Sequence, residues 1–392
     1  MKSTIGNRTL AGALLGSASA LALAFGLTAM TPQEASAACT GATTVGDDVV
    51  TCATSGVIPN TNNGDDTLIL QTGNFTGGIF ELEEGSDFVS ITGGADVQVT
   101  GEPVFGTGTA GNEGAATDFN MLLVTGASTA NFTADDVFMG DNADVVEVSA
   151  GSTLNGRIDG NEGNDFITIT GGSTLDVVSG TAIDGEDGDD FINVDGSIVS
   201  GTPNGTVAIR GGNDNDRIVI TNSNISGQID LGNGDNSSTA TVNAGFAGTA
   251  GAAGSPSPAQ VVQTGPAGLY ITSGIIQGTG ISISGGTGND TVSILGASQV
   301  ANNIDVFNGT NDVTLGGTTT VGGNLSGGND ADTFTMQDTA VLAGNVNAGT
   351  GDDVLNLNGG MIGGDVTTVG GMDTVNIGGT AITGEVDTGV DN

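Results

Sequence analysis

Apolar residues recur along this chain in short alternating runs, each set at a fixed distance behind an Asp or Asn. Two and four residues after that anchor stand Val292 and Ile294, Val313 and Leu315, Phe334 and Met336, Leu355 and Leu357, and Val375 and Ile377. Earlier copies give Leu68 and Leu70, Val89 and Ile91, Val146 and Val148, Ile167 and Ile169, Ile192 and Val194, and Ile218 and Ile220. This alternation predicts strands with one buried face. A second apolar point follows nine or ten residues after the anchor, as at Phe75, Leu154, Ile225, Val300 and Ile362. A third follows at thirteen or fourteen, as at Ile79, Ile158, Ile229, Ile304, Leu325, Val346 and Val386. Gly or Asn usually stands one or two positions before that third point.

The anchors set a period. Asp290, Asn311, Asp332, Asp353 and Asp373 are spaced by 21, 21, 21 and 20 residues. Asp144, Asp165, Asp190, Asp216 and Asn236 are spaced by 21, 25, 26 and 20, and Asp66 and Asp87 by 21. Each unit therefore holds three short strands separated by turns. One unit alone can bury nothing, but stacked units close each other's open edges. The predicted fold is all-β: a right-handed parallel β-helix with coils of about 21 residues. Some fifteen coils at a strand spacing of about 4.8 Å would make a rod on the order of 70 Å long. A β-roll of tandem nonapeptides would need its glycine–aspartate motif at less than half this interval. Two segments, 93–135 and 237–280, depart from the register and read as degenerate coils or insertions.

Composition agrees with many small strands and glycine turns. The chain has 71 Gly, no Trp, no His and a single tyrosine, Tyr270, in 392 residues. It is too rich in Val, Ile and Leu for a disordered chain of its charge. That charge is extreme: 5 Lys plus Arg against 45 Asp plus Glu, a net of −40. Nothing here could neutralise phosphates, so nucleic acid is excluded as a partner, and anionic lipid would be repelled. Cations are the natural partners of so many carboxylates.

The first 37 residues read as a secretory signal peptide: Lys2 and Arg8, an apolar stretch from Leu10 to Met30, then "ASAAC" with cleavage after Ala37. The two cysteines, Cys39 and Cys52, follow directly. An isolated pair in an exported chain is expected to form a disulfide, here capping the solenoid within residues 38–60. The β-helix then fills 61–392.

Catalysis by a Ser–His–Asp or Cys–His arrangement fails for want of His, as do the usual zinc sites. The chain is read as a non-enzyme, with no catalytic residue assigned. The densest acids off the repeat register are Asp159, Asp184, Glu186 and Asp187, beside Arg157 and Arg210. They are where a carbohydrate-active enzyme built on paired carboxylates would sit. Calcium is the better-founded chemistry. Like charges stacked about 4.8 Å apart repel by a few kcal/mol at an effective dielectric near 20. Carboxylates with turn carbonyls suit calcium. The candidate ligands are the anchors Asp66, Asp87, Asp144, Asp165, Asp190, Asp216, Asp290, Asp332, Asp353 and Asp373, above all where acids adjoin, as at Asp65–Asp66 and Asp352–Asp353. The alternative is a solvated Asp or Asn capping its own turn.

Two resemblances follow. "GGTGNDTVSI", from Gly285 to Ile294, resembles the calcium-binding nonapeptide of hemolysin-type, repeats-in-toxin proteins. The signal peptide, the "ACTGATTVGDDVVTCATSG" opening with its cysteine pair and the Gly/Asp repeats together resemble the passenger region of an autotransporter, a type V secreted protein of Gram-negative bacteria. That resemblance implies export and display at the outer membrane or cell surface, or release. It further implies an adhesin-like or structural role, with host or matrix surface molecules as partners. It also implies a C-terminal β-barrel translocator. No barrel-like strands occur before "VDTGVDN", so the expectation is that such a part lies outside this sequence.

Overall fold

A computed structural model describes residues 39–40, 47–59, 64–77, 80–82, 85–100, 103–105, 119–132, 137–200, 206–237, 239–244 and 261–389. The signal peptide expected at 1–37 lies outside these residues. Among them the chain is a parallel β-solenoid without helix, in which three sheets of fifteen, fourteen and thirteen strands form the walls. The first sheet runs from Cys39–Thr40 to Thr374–Ile377, the second from Gly56–Val57 to Ala381–Ile382, the third from Phe80–Leu82 to Val386–Asp387.

The alternating pattern explains the walls. Strands such as Val354–Leu357 bury every second residue. Stacking in register turns each buried position into a ladder: Ile192, Ile218, Leu269, Val292, Val313, Phe334, Leu355 and Val375 follow one another up the first sheet. The ladders merge into one continuous core, and Phe75, Phe132 and Phe334 are fully buried within it. At about 25 cal/mol per Å2 of apolar surface, a core built this way gains with every coil added.

At the N-terminal end, Cys39–Thr40 pairs antiparallel with Val49–Cys52, and Cys39 is disulfide-bonded to Cys52. This is the expected bridge. It covers the first edge of the stack with a strand that cannot template another coil.

The irregular segments contain coil strands. Asp96–Val99, Met121–Val124 and Thr129–Phe132 stack in register with their neighbours. In 237–280 the chain leaves the stack after Asn236 and forms an antiparallel pair, Thr239–Ala244 with Val261–Pro266. It re-enters at Gly268–Thr272 against Arg217–Thr221. The 25-residue spacing from Asp165 to Asp190 has a local cause. Six residues (177–182) separate Asp176 from Ile183, where two (156–157) separate Asn155 from Ile158, so the corner between second and third sheets is enlarged.

Candidate metal centre

The anchors sit at the corner where the third sheet passes into the first. They are not solvated turn carboxylates. Asp66, Asp87, Asp144, Asp165, Asp190, Asp216, Asp290, Asp332 and Asp353 are all buried, at 1% exposure or less, while Asp373 is partly exposed. The sequence carried the signal for this. A strand's period of two puts Val292 and Ile294 inside, and the same parity puts Asp290 inside.

An anchor's Oδ1 accepts the backbone N–H of the anchor one coil earlier, except at Asp290, whose Oδ1 accepts the side-chain amide of Asn236 at 3.2 Å. The bonds are 2.8 Å from Asp48 to Asp66, 2.8 Å from Asp144 to Asp165, 2.8 Å from Asp165 to Asp190, and 3.0 Å from Asp190 to Asp216. The ladder continues from Asp290 to Asn311, then Asp332, Asp353 and Asp373, at 2.9–3.0 Å. One acceptor oxygen is all this latch requires, which is why Asn120, Asn236 and Asn311 fill the same rank.

The second oxygen is what distinguishes Asp from Asn. Oδ2 of Asp165, Asp190, Asp216 and Asp290 is out of contact with solvent and has no hydrogen-bond partner. A bare buried carboxylate oxygen is costly unless a proton or a cation meets it. Each lies beside the glycine five residues earlier, in the space a side chain there would fill. A Cβ at Gly160 would come 2.1 Å from Asp165 Oδ2 and 2.8 Å from the Gly185 carbonyl oxygen of the next coil. At Gly185 the distances are 2.1 Å to Asp190 Oδ2 and 2.2 Å to Gly211 O, and at Gly285 they are 2.5 Å to Asp290 Oδ2 and 2.8 Å to Val306 O. A carboxyl oxygen and a carbonyl oxygen from neighbouring coils thus crowd together, coil after coil, against a glycine that leaves no room for a side chain.

Burial pushes these carboxyls up. Asp165, Asp190 and Asp216 lie well above the ordinary value of 3.8 because they are desolvated and have acidic neighbours. Burial raises Asp290 to about 8, against the opposing hydrogen bond from Asn236. Asp332 reaches only about 6, burial being offset by the N–H groups of Asn311 and Gly328; the latter bonds its Oδ2 at 3.1 Å. Shallower desolvation and the donor on Oδ2 both let Asp332 ionise more readily than Asp290.

The donor set is all oxygen, carboxyl and carbonyl, which fits a hard cation such as calcium. No three His, Cys, Asp or Glu side chains come together among the described residues, so backbone carbonyls would have to complete any coordination shell. Adjacent acids do not reinforce one another as expected. Asp65, Asp189 and Asp352, one residue before their anchors, point the other way, and accept the N–H groups of Ser86, Asn215 and Met372 one coil later.

The other two corners carry ladders that sequence reasoning missed. Buried Ser128, Ser152, Ser173, Ser197 and Ser223 each bond to the next through N–H and Oγ between first and second sheets. Asn303, Asn324, Asn345 and Asp365 do so in the opposite direction between second and third. Away from the corners, Arg157, Asp159, Asp184 and Arg210 cluster on the outside of the third sheet. Asp184 Oδ2 lies 2.8 Å from Arg210 Nη1 and 3.8 Å from Arg157 Nη2. Burial raises the Asp184 carboxyl to about 6, with Arg210 opposing. Arg217 instead stacks on Phe191 and Tyr270, at 5.3 and 5.6 Å from the ring centroids.

No protein-family model matches the chain. No curated protein matches it either. A solved structure to which it is similar is a hyperactive, calcium-dependent, β-helical antifreeze protein from an Antarctic bacterium. The two are 18% identical over 87% of this chain and 82% of that one, with a TM-score of 0.45.

Proposed function

We propose that this chain is an exported β-solenoid of the autotransporter-passenger kind, displayed at the cell surface or released. Its task would be structural or adhesive rather than catalytic, and calcium would hold its first corner together. The observation that carries the calcium reading is the row of buried, partnerless Oδ2 atoms at Asp165, Asp190, Asp216 and Asp290, each packed with a carbonyl oxygen of the next coil against a glycine. Export rests on the N-terminal sequence, and the Cys39–Cys52 bridge is in keeping with an oxidising compartment.

Magnitudes favour a cation over protons alone at neutral pH. An open-chain aspartate at pH 7 stands about three pH units above its pKa. Retaining the Asp290 proton, with a pKa raised from 3.8 to about 8, therefore costs the fold roughly 4 kcal/mol, at about 1.4 kcal/mol per unit. Asp165, Asp190 and Asp216 are raised in the same direction and add to that cost. Calcium binding to the ionised form removes that cost. A cation that must first displace protons binds weakly, which suits the roughly 10⁻⁴–10⁻³ M affinities of extracellular modules.

The test is calorimetric calcium titration of the mature chain, with thermal melts by far-ultraviolet circular dichroism in chelator and in millimolar calcium. The expected result is several ions bound per chain and a higher melting temperature in calcium. A site held at about ten times its Kd adds about 1.4 kcal/mol. Identical melts and no binding heat would overturn the calcium reading.

A further inference from the structure

The third sheet carries a groove that the corner chemistry does not use. Successive coils place Glu186, Gly212, Gly232, Gly286 and Phe307 side by side in one row. Every member has a positive φ, at 71°, 126°, 89°, 91° and 53° in that order. Glycine is the natural occupant of such a row, because a Cβ at Gly212, Gly232 or Gly286 would come within 2 Å of the preceding coil's carbonyl oxygen. Glu186 and Phe307 break the rule on either side of the three glycines. Between them lies an open trough of about 330 Å3. Its glycine floor is flanked by Arg210, Asp230 and Ser284 on one side and Asn213 and Asn233 on the other, with Glu186 closing one end.

The walls are organised rather than merely polar. Asp184, only 1% exposed, fixes Arg210 from the preceding coil through its 2.8 Å contact, and Glu186 lies against the same carboxyl. Asn233 Nδ2 donates to Asn213 Oδ1 at 3.2 Å, and Thr287 Oγ1 donates to Asn233 Oδ1 at 3.1 Å, so both amides are held with an N–H to spare. At the next position of the row Phe307 is 37% exposed, an aromatic face standing in water.

We propose that this trough binds a neutral oligosaccharide laid along the stack axis. Phe307 would stack on one ring, and Glu186, Asp230, Arg210 and the two asparagines would bond ring hydroxyls. The strand spacing of about 4.8 Å is close to the length of one pyranose unit, so each coil meets one sugar. Mixed fixed donors and acceptors suit hydroxyls, which are both. Charge selects against acidic glycans: Glu186 and Asp230 line the trough, Arg210 is already engaged by Asp184, and the whole chain carries −40. A bare metal ion is disfavoured by Arg210 in the same wall.

The row itself supplies the test. Phe307→Gly and Glu186→Gly restore the residue that the backbone prefers, so both variants should melt at or above the parent temperature. Calorimetric titrations of the chain would use maltohexaose, cellohexaose and xylohexaose, with hexagalacturonate and polylysine as charged probes. At least one neutral hexasaccharide is expected to bind, and each glycine variant and Asp230→Asn to weaken it at least tenfold. No binding of any neutral probe, or equal binding in both glycine variants, overturns the proposal. So does a charged probe that binds in preference and is lost in the same variants.

Discussion

Replacing Asp290 with Asn separates the latch from the charge. The substitution keeps Oδ1 as the acceptor for Asn236 Nδ2, a bond of 3.2 Å, and sets an amide N–H where Oδ2 faces the Val306 carbonyl. Asn311, one coil later, already occupies the same rank, so the geometry is tolerated. What is lost is the ionisable group. Its folded pKa of about 8 lies above the open-chain value of 3.8, so its contribution is fully present below about pH 4 and lost as pH rises toward 8. In chelator the parent should therefore lose stability relative to Asp290→Asn by roughly 1.4 kcal/mol per pH unit between pH 5 and 7. The gap should reach roughly 4 kcal/mol at pH 7. Urea unfolding at pH 5, 6 and 7, followed by circular dichroism, measures it. In millimolar calcium the gap should narrow, by about 0.4–1.4 kcal/mol for a Kd of roughly 10⁻³–10⁻⁴ M, because only the parent keeps the carboxylate ligand. Parallel pH profiles in chelator, or a calcium increment equal in both proteins, would refute the argument that Oδ2 is an ionisable group awaiting a cation.

Other perturbations address single parts of the stack. Gly185→Ala would put a methyl 2.1 Å from Asp190 Oδ2 and 2.2 Å from Gly211 O; it should remove about one bound calcium in a titration and destabilise by about 1–3 kcal/mol. Ser173→Ala deprives the buried Ser152 N–H of its 3.2 Å acceptor and should cost about 1–3 kcal/mol in urea unfolding. Reducing the Cys39–Cys52 bridge, which spans 13 residues, should cost roughly 3 kcal/mol. Amide exchange should rise in the first coils and not near Val354–Leu357, since coils couple mainly to their neighbours.

The walls of the solenoid were legible because a strand repeats every two residues and a coil about every 21, and both periods are written in Val, Ile and Leu. The direction of the anchors was equally legible by parity, but an acidic residue at a turn invites the assumption that it faces water. Asp290 shows why that fails: at the corner the third sheet passes into the first, and the inner side of that turn is core. The serine rank obeys the same parity, since Ser152, Ser173, Ser197 and Ser223 each precede an inward Leu154, Leu175, Val199 or Ile225 by two. Serine is too common in turns for that to stand out unaided. The trough was illegible. Nothing in "DGEDGDD" or "DVFNGTN" tells that Glu186 and Phe307 share a row, because the long coils and the insertion after Asn236 separate them by 121 residues, 186 to 307.

The one-coil reach of every corner bond has a mechanical consequence. Pulled by its ends along the stack axis, such a chain carries load through its coils in series, and the terminal coil can leave without disturbing the one beyond its neighbour. A 21-residue coil that peels away would lengthen the chain by about 70 Å. Force spectroscopy should show steps of that size, and calcium at the first corner should raise the height of each step rather than change its length.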